Sequence, residues 1–316
     1  MKVYRDVAGP CLAPAGSVVA VGAFDGLHSG HQALLAQVRA RANALHCVPA
    51  VVSFEPLPRA FFARAPLPRL ASVHEKLEGL CAAGMQRVLL LRFNAALTAT
   101  SAEDFVRRVL VGRMAAREVW VGADFRFGHQ RRGDLALLER MGAESGFVAR
   151  PMPPVEVDGA RASSSAIRDL LAVGDFAGAA ALLGRPFGMS GHVVRGNRLG
   201  RELGYATANV RLHGRIAPVQ GIFAVRIGVG DGPCAWPGVA SLGVRPTVNA
   251  VAEPLLEAHL FDFDGDLYGR RIGVEFVAKL RDEEKFADVD ALVAQMHRDA
   301  AAAREALGMH AVLAGA

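Results

Sequence analysis

Val18-Val19-Ala20-Val21-Gly22-Ala23-Phe24-Asp25-Gly26-Leu27-His28-Ser29-Gly30-His31-Gln32 decides the fold of the first half of this 316-residue chain. The apolar run reads as a buried strand, the glycine-containing stretch as a turn, and Ala33–Ala44 as a helix. His28 and His31 fall where the turn meets the helix, where free backbone N–H groups and the positive end of the helix dipole favour an anion. Gly26 and Gly30 let the backbone approach a phosphate closely, and Gly22 and Phe24 complete the nucleotide-binding candidates of the turn. Two imidazoles three residues apart suit hydrogen bonding to phosphoryl oxygens as negative charge grows on them. A histidine at a helix start more often satisfies local hydrogen bonds than catalyses. Two histidines and two glycines in register, directly after an apolar strand, favour the catalytic reading.

Working outward, strand patterns at Val18–Val21, Val48–Phe54, Val88–Phe93 and Glu118–Val121 alternate with helical patterns. The latter lie at Leu34–Ala44, His74–Ala83, Ala102–Val111 and Asp134–Gly142. That alternation predicts βαβ units, a mostly parallel sheet with helices on both faces, and a ligand crevice at the carboxyl ends of the strands. Ala166–Leu183 reads as helical, broken at Gly174, and Gly184-Arg185-Pro186-Phe187-Gly188 as a boundary between domains 1–184 and 185–316. Beyond it, short strand patterns at Gly191–Val194, Gly221–Ile227, Gly238–Leu242, Leu256–Phe261 and Ile272–Phe276 predict an antiparallel barrel. An amphipathic helix, Val289–Leu307, is expected to pack on it, and the tail His310–Ala316 to be loosely ordered.

With 52% hydrophobic and 21% charged residues the composition is that of a folded protein, not a disordered one. The net charge of +5 comes without a basic stripe or interleaved aromatics, which argues against a nucleic-acid partner and suits an enzyme that handles polyphosphates. Cys11, Cys47, Cys81 and Cys234 are widely spaced with no CxxC pair, which argues against a disulfide framework or zinc ribbon and fits a reducing cytoplasm. No signal peptide and no membrane-spanning apolar run is visible, so no membrane partner is expected. Homo-oligomerisation is left open.

Two further segments carry chemistry. Gly122-Ala123-Asp124-Phe125-Arg126-Phe127-Gly128 follows a strand and continues to Gly133-Asp134 with arginines between, a loop able to bind a ribose, a base edge or a phosphate. Ser163-Ser164-Ser165-Ala166-Ile167-Arg168 opens a helix. Any one serine there reads as a cap, but Ser164 and Ser165 with Arg161 before and Arg168 after also make a cradle for a triphosphate.

Together, the HxGH stretch, this loop and the serine cradle resemble the N-terminal module of the prokaryotic bifunctional riboflavin kinase/FAD synthetase family. Its signatures GxFDGxHxGH, GxxFxFGxxRxGD and SSTxIR occur here in order. Ala23 replaces the usual Asn, Ser165 the usual Thr, and Asp124 stands where many relatives carry Asn. The second half resembles the riboflavin kinase module of the same family. Gly196 precedes Gly200-Arg201-Glu202-Leu203-Gly204-Tyr205-Ala206-Thr207-Ala208-Asn209, similar to G-R-x-L-G-F/Y-P-T-A-N, with Ala206 in place of Pro. Alanine does not pre-set the backbone as proline does, which predicts a looser loop. Gly243–Thr247, Leu256–Phe263, Asp266–Gly269 and Leu280–Phe286 resemble the remaining kinase signatures.

The resemblance implies an α/β nucleotidyltransferase domain of Rossmann-like parallel type followed by an antiparallel β-barrel kinase domain with a terminal helix. It implies phosphorylation of riboflavin to FMN by ATP, then adenylylation of FMN by ATP to FAD. In that reading His28 and His31 are catalytic, and Gly22, Phe24, Gly26, Gly30, Asp124, Arg161, Ser164, Ser165, Arg168, Gly196 and Gly200 bind nucleotide or phosphate. Phe125, Phe127, Arg281 and Glu283 bind flavin, Thr207 and Asn209 hold Mg²⁺, and Glu257 is the base for the riboflavin hydroxyl. Strand alternation puts Glu257 and His259 on one face, where an inward carboxylate is expected. The alternative is a monofunctional FAD synthetase whose kinase module only binds flavin.

Overall fold

A computed structural model of the chain describes residues 1–196, 205–213, 215–245 and 253–309. It contains two compact units, Met1–Leu67 with Ala71–Ser164, and Pro68–Leu70 with Ser165 onward.

The first unit is built on a six-stranded parallel sheet of β1 (Lys2–Tyr4), β2 (Ser17–Val21), β3 (Val48–Glu55), β4 (Arg87–Arg92), β5 (Ala116–Gly122) and β6 (Val148–Met152). Their order across the sheet is β1-β4-β3-β2-β5-β6. The helices are α1 (Ser29–Ala44), α2 (Pro58–Phe62), α3 (Val73–Ala82), α4 (Ala95–Thr98), α5 (Ala102–Phe105) and α6 (Leu135–Ser145). A π-helical stretch, Val106–Arg113, continues α5. A small hairpin pairs β7 (Glu156–Val157) with β8 (Ala160–Arg161). Successive β2 side chains point to opposite faces. Val18 and Ala20 pack with Leu34, Leu35 and Val38 of α1, whereas Val19 and Val21 join Phe105, Val109, Leu138 and Met141 on the other face. Burial on both faces explains the continuous apolar runs of the central strands.

In the second unit α7 (Ser164–Ala172) and α8 (Phe176–Leu183) meet at the break predicted around Gly174, whose φ is +81°. Six antiparallel strands then close a barrel in the order β10-β13-β12-β11-β14-β9. They are β9 (Gly188–Val194), β10 (Ala208–Arg211), β11 (Gly221–Val229), β12 (Trp236–Arg245), β13 (Glu253–Leu260) and β14 (Arg271–Arg281). Phe223, Val225, Leu256, Ala258, Val274 and Phe276 are wholly buried within it. Closure leaves no unpaired edge. The terminal helix, α9 (Val289–Ala306), lays Ala300, Ala303 and the following Leu307 against Ala224 and Phe261. Arg281 of β14 clamps it by donating from Nε and Nη2 to the two carboxylate oxygens of Asp299, at 2.8 and 2.7 Å. The tail from His310 onward lies outside the described residues.

Candidate active sites

In the first unit the chain leaves β2 toward β3 on one side, while β5 lies on the other, so β2 and β5 flank a topological switch point. Both turns singled out in the sequence leave these strands at their carboxyl ends. They meet at a cavity of about 230 Å³ lined by Gly22, Phe24, His28, Gly30, His31, Asp124, Phe125 and Arg161, among others.

The turn after β2 is bent into a conformation L-residues disfavour, with φ of +53° at Phe24 and +46° at Leu27. Each such residue costs about 1 kcal/mol or more. Burial offsets that cost, for Phe24 and Leu27 are 0% and 6% exposed within the core beneath α1. Hydrogen bonds hold the bend as well. The buried Asp25 side chain accepts from Ala71 N–H at Oδ1, 3.1 Å away, and the Asp25 main-chain carbonyl accepts from the Ser164 hydroxyl at 2.9 Å. The Ala23 carbonyl accepts from the buried Ser53 hydroxyl at 3.3 Å. The bend is therefore pinned through the main-chain carbonyls of Ala23 and Asp25 and the Asp25 carboxylate, none of which depends on an Asn side chain at position 23.

Helix α1 begins at Ser29, earlier than the apolar pattern suggests, with His28 at its N-cap. His31 thus lies in the first turn, and the two imidazoles stack with centroids 3.7 Å apart at 26°. A Cβ at Gly30 would sit 3.2 Å from His28 Cε1 and Nδ1, so the ring uses the space that glycine leaves. The Phe24 ring lies 5.0 Å from that of His31. His31 Nδ1 is buried without a hydrogen-bond partner among the described residues. Burial, then the charges at His28 and Lys76, hold the His31 pKa well below its ordinary value, so it is neutral at pH 7. Lys76 is fully buried on α3, where Nζ donates to the Phe54 carbonyl at 3.2 Å and lies 3.5 Å from the Glu55 carboxylate.

Across the cavity Arg161 Nη2 donates to Asp124 at 2.8 Å. That hydrogen bond holds the Asp124 carboxyl below the usual range, so it is ionised and engaged with Arg161. Phe125 borders the cavity, whereas Phe127 is buried in the core and stacks on it at 5.4 Å. The first unit ends at Ser164, whose hydroxyl anchors the turn through Asp25. Ser165 and Arg168 belong with the second unit, where Arg168 Nε donates to the Pro68 carbonyl at 2.6 Å. An aromatic group absent from the sequence reading follows β3 and β4. Phe61 and Phe62 are 41% and 68% exposed, with ring centroids 5.5 and 5.9 Å from Phe93. The signal was available as two adjacent phenylalanines in an Arg- and Pro-rich segment.

In the second unit a cavity of about 510 Å³ is lined by Gly196, Ala206, Thr207, Asn209, His259 and the 263–268 loop, among others. Asn209 of β10 pairs directly with Glu257 of β13. Their flanking partners, Ala208 with Ala258 and Val210 with Leu256, are buried, which sets Asn209 and Glu257 on the barrel's outer face. Glu257 and His259 share one face as predicted, but that face is not the inward one. Leu256, Ala258 and Leu260 fill the interior, and a charge there would be stranded. A Cβ at Gly196 would overlap the Asn209 carboxamide, so this glycine gives the amide its place. Among the described residues no group of three or more His, Cys, Asp or Glu could hold a metal ion. The Thr207 hydroxyl and Asn209 amide oxygen are hard oxygen donors opposite a carboxylate, a set that suits Mg²⁺ sharing its shell with water and phosphate.

Arg281 is committed to Asp299, and it also lies 3.4 Å from Glu284. The Glu283 carboxylate occupies the space above Gly243, where a Cβ would overlap it. Gly200 and most of the surrounding kinase motif, residues 197–204, lie outside the described residues, as do Pro246 and Thr247.

The family model for FAD synthetase matches residues 12–166, and that for riboflavin kinase matches residues 183–307. The bifunctional riboflavin kinase/FMN adenylyltransferase of Pseudomonas fluorescens is 45% identical over 92% of each chain. That of Escherichia coli K12 is 42% identical over 98% of this chain and 99% of its own. Among solved structures, one described as a macrolide-efflux protein from Streptococcus pneumoniae superposes with a TM-score of 0.77. It is 29% identical and covers 94% of this chain and 97% of its own. No helix among the described residues here is long and apolar enough to cross a membrane. With both halves matched and full-length relatives this similar, the chain belongs to the bifunctional riboflavin kinase/FMN adenylyltransferase family.

Proposed function

We propose that the chain carries out both steps from riboflavin to FAD, with residues 185–316 as the riboflavin kinase and residues 1–184 as the FMN adenylyltransferase. The observation that carries this reading is the presence of two separate cavities, each lined by its own signature residues: His28 and His31 in one, Thr207 and Asn209 in the other.

In the kinase, Glu257 accepts the proton of the riboflavin 5′-hydroxyl as its oxygen attacks the γ-phosphorus of ATP, and ADP leaves. Carboxylates commonly fill this role. Phosphoryl transfer depends mainly on positioning and charge stabilisation. Thr207 and Asn209 would hold Mg²⁺, which neutralises charge on the phosphates when bound. Gly196 would leave the backbone room to approach the same phosphates. The carboxylate of Glu283 would contribute to the flavin side, and Arg281 supports it by fixing α9 through Asp299.

In the adenylyltransferase the FMN phosphate attacks the α-phosphorus of a second ATP, forming the FAD pyrophosphate link and releasing pyrophosphate. No protein nucleophile is needed. His28 and a neutral His31 donate N–H hydrogen bonds to the reacting phosphates, with the α1 N-terminus adding its dipole. Gly22, Phe24, Gly26 and Gly30 shape the turn against the nucleotide. Arg161 and Ser164 bind phosphate oxygens, and Arg161 exchanges Asp124 for the incoming anion. Phe125, backed by Phe127, borders the flavin. The four free cysteines suit a reducing cytoplasm, where ATP is abundant.

The test is turnover of the purified protein with riboflavin, ATP and Mg²⁺, with FMN and FAD resolved by chromatography. Both products are expected from riboflavin, and FAD from FMN. Formation of FAD from FMN without FMN from riboflavin would leave only the adenylyltransferase.

A further inference from the structure

Two histidines hold the entrance to the β10 strand, and they do so where the chain lacks a proline. The carbonyl of Ala206 lies 2.9 Å from His259 Nδ1. A carbonyl only accepts, so His259 must carry its proton on Nδ1 and donate it there. One residue earlier, the Tyr205 hydroxyl lies 2.6 Å from His297 Nδ1 on α9. The Tyr205 ring is wedged between the two imidazoles, edge-on to His259 at 5.0 Å and to His297 at 5.4 Å. His259 in turn packs edge-on against Phe261 at 5.7 Å. The next residues are Thr207, which lines the cavity, and then Ala208 and Asn209, which pair with Ala258 and Glu257 of the same strand that carries His259.

We propose that His259 and the Tyr205–His297 pair are positioning residues of the kinase, holding the Tyr205–Asn209 segment so that Thr207 and Asn209 face the phosphates. With side-chain anchors they supply order that Ala206 does not supply through its own backbone. The inference rests on the reading of this cavity as the kinase's nucleotide site. Its physical basis is the cost of ordering a segment each time nucleotide binds. Proline lowers that cost by removing φ freedom from the free chain. Ala206 has no such restriction, so the order has to come from elsewhere. A hydrogen bond to the Ala206 carbonyl fixes the peptide plane directly before Thr207, and the Tyr205 anchor fixes the residue before that. Both anchors end on elements already held: β13 within the closed barrel, and α9 through Asp299 and Arg281.

The test uses the full-length protein and the variants Tyr205→Phe and His259→Ala, each alone and combined with Ala206→Pro. Three quantities are measured: amide exchange over residues 205–209 without nucleotide, ADP affinity by calorimetry with Mg²⁺, and kcat and KM for ATP in riboflavin phosphorylation. Losing one anchor should speed exchange and weaken ADP binding by about threefold to tenfold, the worth of one hydrogen bond. KM for ATP should rise more than kcat falls. Adding Ala206→Pro should bring the anchor variants to within about twofold of the proline single variant, since the proline would then supply the restriction that the lost anchor no longer does. Exchange and ADP affinity unchanged in both anchor variants would overturn the proposal, as would anchor losses that simply add to the effect of Ala206→Pro. Tyr205→Phe removes a single hydroxyl and serves if His259→Ala unfolds the barrel. If the wild-type protein neither binds ADP nor makes FMN, the kinase reading fails, and the exchange data still report whether the anchors order the segment.

Discussion

Asn209 and Glu257 face each other as register partners across β10 and β13, on the outer face of the barrel. Directly opposed residues on one face bring their Cβ atoms to about 5 Å. That single pairing sets an oxygen donor suited to Mg²⁺ beside a carboxylate suited to proton abstraction, though the two residues are 48 positions apart in the chain (257 − 209).

Glu257→Gln keeps the shape of the side chain and removes its basicity. Riboflavin phosphorylation should fall by about 10²–10⁴-fold in kcat. ADP affinity and conversion of added FMN to FAD should remain near the wild-type level. Steady-state assays of the two steps, run separately, check this, and a kcat within threefold of wild type would remove Glu257 from the role of base.

His28→Ala should produce the opposite pattern. FAD formation from FMN should drop by about 10²–10³-fold, as expected for loss of a donor to a developing charge. FMN formation from riboflavin should be unaffected. Product ratios from riboflavin would then shift from FAD to accumulated FMN.

The depressed pKa of His31 makes stability depend on pH with a definite sign. Its folded-state pKa lies below the ordinary 6.5, so between the two values the unfolded chain binds the proton and the folded one does not. Stability is therefore full above about pH 6.5 and is lost progressively as pH falls toward the folded-state value. Lowering the pH from 7.5 to 5.5 should reduce the melting temperature more in the wild type than in His31→Asn. Equal pH dependence in the two proteins would mean that His31 protonates freely in the fold.

Asp299 on α9 is buried and accepts from Arg281 twice and from Gln295 Nε2 at 2.8 Å. Asp299→Ala leaves the Arg281 guanidinium, 21% exposed, without its carboxylate. Breaking a largely buried pair from one side costs about 3 kcal/mol. Urea unfolding followed by a probe in the barrel should show that loss. Asp299→Asn, which keeps an acceptor, should lose less.

Much of the fold was legible because its strongest signals are local. The apolar runs of β2, β3, β4 and β5 stand out since those strands are buried on both faces. β1 and β6 did not register because they form the sheet's two edges, where exposed positions and Pro151 interrupt the pattern. β10 was hidden for another reason: it is four residues long and embedded in the Thr207–Asn209 motif. The early start of α1, with extended backbone at His28, is a boundary that apolar periodicity does not report. The inward placement expected for Glu257 failed because alternation fixes which residues share a face but not which face meets the core.

The site divides in the same way. Sequence alone carried the signature residues, their order along the chain, the motifs that resemble the family, and the α/β and β-barrel strand patterns, because motifs and periodicity are local properties of the chain. Only the tertiary structure decided that His31 is neutral, that Asp25 and Ser53 pin the strained turn, that Arg281 is spent on Asp299, and that Asn209 meets Glu257. The physical reason is that burial, register and hydrogen-bond partnership arise between segments distant in the chain. Their energies depend on what surrounds a side chain once those segments have packed.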